Sequence, residues 1–230
     1  MTINEQIAQL LEANRTYFEG KPIAFDGVVD EETFQKQPIK TLFLLKEVND
    51  PKMSQDWVDF MENTKAQASV ETLYPTWPNV CLWMEALKHP DVSYMDCMTA
   101  EGYFDTKHLQ RNLLDIALVN IKKTAGDGSS EHDEIMDAAR KYGHVVLEQI
   151  KMIAPTLVVC GGTFDYAKEI TGVAQKEIKI FPTGTEYFYS HGVLYLRFVH
   201  PVWFSVNRNI LFNYAKCVFA DVREELEKHS

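Results

Sequence analysis

Ile116-Ala117-Leu118-Val119-Asn120-Ile121 is apolar on both of its alternating faces, apart from one amide. A strand of that kind lies buried between layers, as in a parallel sheet covered by helices on both sides. Three more stretches read alike: Thr41-Leu42-Phe43-Leu44-Leu45, Thr156-Leu157-Val158-Val159-Cys160, and the run from Val193 to Val199. Helical periodicity fills the gaps. Ile135, Ala138, Ala139, Tyr142, Val145, Val146, Ile150 and Ile153 form one stripe over about 131–153, with Ser129 or Ser130 as natural caps. Another helix is expected from about Asn207 to Lys228. Short strands are expected at Ile178–Phe181 and Tyr187–Tyr189, with His191-Gly192 as a hairpin tip.

Strand, helix, strand, helix, strand predicts an α/β fold: a three-layer α/β/α sandwich with a mostly parallel central sheet. The 230 residues suffice for one domain spanning 1–230. Its additions are an N-terminal helix at about 3–19, from the spacing of Ile3, Ile7, Leu10, Leu11 and Phe18, and a helical insertion at about 54–115. Tyr74-Pro75-Thr76-Trp77-Pro78 interrupts that insertion as a loop, which makes Tyr74 and Trp77 the aromatic residues expected to be exposed for stacking.

Hydrophobic residues at 46% and charged ones at 24% place the chain among globular proteins. No apolar run is long enough to span a bilayer, so no membrane partner is expected. The N-terminus lacks the basic flank and apolar core of a signal peptide. Cys81, Cys97, Cys160 and Cys217 form no Cys-x-x-Cys pair and have mostly apolar neighbours. They read as reduced thiols in a cytoplasmic protein, with no metal and no cofactor. A net charge of −10 argues against a surface coated for nucleic acid, though it leaves room for a local basic edge.

Right-handed crossovers gather the strand C-termini on one edge of the sheet, where ligands of open α/β folds bind. Lys46, Glu47, Asn49 and Asp50 follow the first strand, and Asn120, Lys122 and Lys123 end the second. Gly161-Gly162-Thr163 follow the third. His200 ends the last, with Trp203, Ser205, Asn207 and Arg208 nearby. This set could polarise a leaving group, orient water and hold phosphates. Each member has a plainer reading: Asp50-Pro51 as a turn, Glu47 as a solvated carboxylate, His200 as a structural histidine. The Gly126–Gly128 loop lacks the spacing of a P-loop. His89, His108, His132, His144 and His229 read as surface residues. Asn120 is the hardest to dismiss, because an unpaired buried amide costs about 1–3 kcal/mol and therefore needs a partner.

A buried strand ending in a polar loop, Leu118-Val119-Asn120 closing a second, Gly closing a third and His200-Pro201 closing a fourth resemble the uracil-DNA glycosylase superfamily over roughly residues 39–215. The resemblance implies that Asn120 hydrogen-bonds the base and His200 assists its departure. It places water activation on Glu47, Asn49 or Asp50, and stacking on an aromatic residue of the 51–77 region. Lys122, Lys123 and Arg208 then supply the basic edge for DNA, or for a free nucleobase or nucleotide. Val202 and Trp203 follow His200-Pro201 where that family has a serine, and Lys46–Pro51 does not reproduce its Gly-x-Asp-Pro type of loop. Three readings follow: a DNA glycosylase, a non-catalytic nucleobase- or nucleotide-binding protein on the same fold, and an unrelated hydrolase on a doubly wound sheet with Glu47, Asp50 and His200 binding a divalent ion. Oligomeric state is not read from the sequence.

Overall fold

The computed structural model describes residues 1–48, 76–101, 105, 111–126, 131–202 and 206–229. Helices are α1 (Ile3–Ala13), α2 (Glu31–Gln35), α3 (Thr76–Lys88), α4 (His132–Ile153), α5 (Phe164–Thr171) and α6 (Arg208–Glu227). Strands are β1 (Thr41–Glu47), β2 (Ile116–Lys122), β3 (Leu157–Gly161), β4 (Lys179–Ile180), β5 (Glu186–Ser190) and β6 (Val193–Phe198). They form one six-stranded sheet in the order β2-β1-β3-β6-β5-β4. The first four run parallel, while β5 pairs antiparallel with β6 and β4 with β5. The fold is thus α/β with a mostly parallel sheet, and the ends of β1, β2, β3 and β6 share one edge.

Alternation along each buried strand divides the core. Phe43, Leu45, Leu118, Val159, Leu196 and Phe198 pack with Trp83, Leu87, Phe212 and Phe219 of α3 and α6. Leu42, Leu44, Val119, Val158, Cys160 and Tyr195 pack with Leu11, Val146, Ile150 and Ala167 of α1, α4 and α5. Each such side chain, once buried, contributes about 1.5–3 kcal/mol, which explains why runs apolar on both faces settle in the middle layer.

Local chemistry sets the element ends. Thr2 and Glu5 form a capping box on α1. The N-terminal helix is shorter than its periodicity predicts: α1 stops at Ala13, and a 3-10 turn, Arg15–Phe18, carries Phe18 into the core. Residues 23–29, not foreseen as sheet, run antiparallel along the outer edge of β2. Their bonds include Leu118 N–H to Gly27 O at 2.8 Å and Val29 N–H to Ile116 O at 3.1 Å, which cover an edge that would otherwise be open. Thr76-Trp77-Pro78 opens α3 instead of lying in a loop, and a proline is tolerated in a first helical turn. Trp77 is consequently 2% exposed, not the open stacking residue expected. His191 (φ 51°) and Gly192 (φ 77°) form the expected hairpin tip. No helix among the described residues is long and apolar enough to cross a membrane. Ser129 and Ser130 lie outside the described residues, as do 54–75, 102–104 and 106–110 of the helical insertion.

Candidate functional site

The C-terminal edge carries three separate polar groups. The first surrounds Asn120, which is 5% exposed. Its backbone N–H and its Nδ2 both donate to Oδ2 of Asp26, at 2.6 and 3.0 Å. Asp26 also accepts from Nζ of Lys123 (2.8 and 3.1 Å) and from Nε2 of Gln149 (2.7 Å), while Gln149 Oε1 accepts from Lys123 at 2.6 Å. Burial pulls the Lys123 pKa below the ordinary lysine value, and the Asp26 charge opposes it. The phenol of Tyr142, where α4 departs from helical geometry (φ −140°), accepts the Lys123 backbone N–H at 3.2 Å. Lys123 is therefore no part of a basic edge: its side chain is 0% exposed and committed to Asp26 and Gln149.

The second group lies between the ends of β1 and β2, where Glu47 and Lys122 are register partners. Lys122 Nζ donates to Glu47 at 2.7 Å and to Glu134 of α4 at 2.8 Å. Burial works to lower the Lys122 pKa, but Glu134 and Glu47 together carry it above the ordinary value. The Glu47 carboxylate is packed against Gly126, leaving no room there for a Cβ. Lys122 is thus neutralised, and Glu47 is an ion-paired, nearly buried carboxylate instead of a solvated one.

The third group centres on His200. Gly162 (φ 70°) turns the chain directly beneath it, and a Cβ there would stand 3.4 Å from His200 Cβ. The Val202 backbone N–H donates to His200 Nδ1 at 3.1 Å. With Nδ1 accepting, the neutral ring carries its proton on Nε2. Burial, and secondarily the charge of Lys46, lowers the pKa and favours that neutral form. Asn79 of α3 donates from Nδ2 to Pro201 O at 2.5 Å and so ties α3 to the His-Pro turn. Thr163 Oγ1 donates to Leu44 O at 2.6 Å, and Gly162 N–H to Phe198 O, fixing the β3 turn to β1 and β6.

Beside this turn is a cavity of about 260 Å³ lined by Lys46, His132, Gly162, Phe164, Asp165 and Arg197, among others. Arg197 stacks on Phe164 and pairs with Asp165 and Glu186. The cavity includes neither Asn120 nor Glu47 among its lining residues. Arg208 opens α6 half-buried and near Tyr94, whose phenol feels its charge. Asn49, Asp50 and Tyr74 lie outside the described residues, as do Lys52, His108, Trp203 and Ser205.

His200 stands over the turn that ends β3, whereas Asn120 lies on β2, two strands away in the sheet order. Leu45 and Pro201 converge on Gly161 in that interval, since a Cβ at Gly161 would meet both at 3.0 and 3.1 Å. His89, His132, His144 and His229 are exposed, as expected. No group of three or more histidine, cysteine or acidic residues that could hold a metal occurs among the described residues. Sequence reasoning missed Asp26, Gln149 and Asn79; the only local signal was a polar residue set in an apolar stretch.

No protein-family model matches this chain, and no curated protein matches it in sequence.

Proposed function

We propose that the chain recognises a nucleobase between Asn120 and His200 and cleaves its N-glycosidic bond, in the manner of a uracil-DNA glycosylase. The observation that carries the reading is the His200 ring: Nδ1 is occupied by the Val202 N–H, and Nε2–H is left as a donor. N-glycosidic cleavage leaves the pair of bonding electrons on the base, so a neutral donor placed at the departing anion lowers the barrier. Asn120 supplies the edge contacts that read a base flipped out of a strand. Lys46, which lines the cavity beside Gly162 and α5, supplies a positive charge for a phosphate next to that base, which fits a nucleotide in a DNA strand better than a free base. The resemblance in motif order supports the same reading.

A second reading, binding without turnover, is favoured by one observation. Glu47 is held by Lys122 and shielded by Gly126, which suits a structural carboxylate more than one that activates water. An oligonucleotide bearing one deoxyuridine separates the two. Base release that is lost in Asn120→Ala and His200→Ala supports the enzyme; binding of the oligonucleotide with no release selects the binder.

A further inference from the structure

We propose that Asn79 of α3 is a positioning residue that keeps His200 in its Nε2–H form by holding the carbonyl end of the Pro201–Val202 peptide, an assignment that rests on the donor role given to His200 above. The two hydrogen bonds of this turn fall on opposite ends of one peptide unit. Asn79 Nδ2 donates to Pro201 O at 2.5 Å, and the Val202 N–H donates to His200 Nδ1 at 3.1 Å. A peptide unit is a rigid plane, so fixing its oxygen fixes the direction of its N–H. Pro201 leaves that plane a single soft torsion. Its ring locks φ and is seated against Gly161, where a Cβ would stand 3.1 Å from Pro201 Cδ. Only ψ of Pro201 can swing the peptide, and among the described residues Asn79 is the group bonded to its oxygen.

Reversal of that plane has a chemical consequence. It carries the Val202 N–H away from the imidazole and brings the Pro201 carbonyl toward Nδ1. A carbonyl only accepts, so the neutral ring then keeps its proton on Nδ1 and leaves Nε2 as a lone pair. His200 would meet a departing base anion with an acceptor where a donor is needed. Asn79 opposes this reversal from the helix, through the turn and not through the base. Its own environment supports the assignment. Asn79 is 5% exposed, and its Oδ1 is buried with no hydrogen bond among the described residues. Turning the amide over would set Oδ1 against the Pro201 oxygen. A buried acceptor left unpaired is costly, so packing alone is a poor account of this residue, and its bond to the turn is the better one.

Imidazole nitrogen NMR spectra of the unliganded protein, recorded above the histidine titration range, read the tautomer directly. The wild type should show His200 as Nε2–H alone, with a protected Val202 amide. In Asn79→Leu, or in Asn79→Ala should the larger side chain prevent folding, Nδ1–H should become a populated form. The Val202 amide should then exchange about tenfold faster or more. Cys81→Ala is the control: it removes a buried side chain from the same helix, keeps the bond to Pro201, and should leave the tautomer as in the wild type. Single-turnover base release should fall about tenfold or more in the Asn79 variants while oligonucleotide affinity stays within about twofold, since only the departure step uses the donor. A folded Asn79 variant that keeps His200 wholly Nε2–H overturns the assignment, as does an equal tautomer change in Cys81→Ala. A changed tautomer with unchanged release places the failure in the donor role of His200 instead. If the wild type releases no base, the reading of function fails, and the spectra still decide whether Asn79 holds the tautomer.

Discussion

Lys122 and Lys123 are neighbours in the chain, yet one bridges two carboxylates near the surface and the other is sealed inside. Removing one partner of a buried ion pair strands the other charge, which costs about 3–5 kcal/mol. Lys123→Met should therefore lose about that much in urea unfolding. Lys141→Met, which breaks the exposed pair with Glu19, should lose about 1 kcal/mol or less. Equal losses in the two variants would show that the Asp26 network is not the stabilising unit described. His200 makes a second prediction. Its folded pKa lies below the ordinary 6.5, so the unfolded chain takes up that proton first as pH falls. His200 therefore costs no stability above about 6.5 and erodes it progressively below, down to its folded pKa. A ring titration should find His200 more than half neutral at pH 6.5 in the wild type and titrating higher in Lys46→Gln; a midpoint at or above 6.5 in the wild type would refute the burial argument. The sequence announced that Asn120 needs a partner. It could not say which, because Asp26 lies 94 residues earlier and is brought across only when 23–29 covers the edge of β2.

At the scale of elements, the four buried strands were readable because burial on both faces leaves few polar residues to interrupt the run, Asn120 in β2 and Arg197 in β6 being the exceptions. The hairpin tip and the last helix were readable from turn and cap chemistry, with Asn207 accepting the Asn209 N–H at 2.9 Å. What could not be read was where elements meet. Trp77 seemed to belong to a proline-broken loop, and instead Pro78 sits in the first turn of α3 and the indole is buried. The glycine after β3 was a weak signal in the sequence, and the structure gives it a specific duty. Gly162 adopts φ 70° directly under His200. Gly162→Ala should cost about 1–2 kcal/mol for the left-handed backbone and displace the imidazole. Unfolding curves and the His200 ring shifts would report both; an unchanged ring environment would mean that this turn does not position the histidine.

For the molecule as a whole, a net charge of −10 and the internal pairing of Lys122 and Lys123 take two of the expected cations away from the proposed basic edge. A strand of DNA would accordingly be held at few phosphates, and binding should depend only mildly on salt. The sheet edge expected from the order of strands and helices is the edge observed, but the polar residues on it form three groups instead of one. The central claim is that two of those groups, Asn120 with its Asp26 brace and His200 over Gly162, face the same base. Single-turnover release of uracil from a single-stranded oligonucleotide tests this most directly. The wild type should release the base, and Asn120→Ala and His200→Ala should each slow release by about 10²-fold or more, the usual worth of one aligned donor. Release at the wild-type rate by either variant, or no release and no binding by the wild type, would contradict the account.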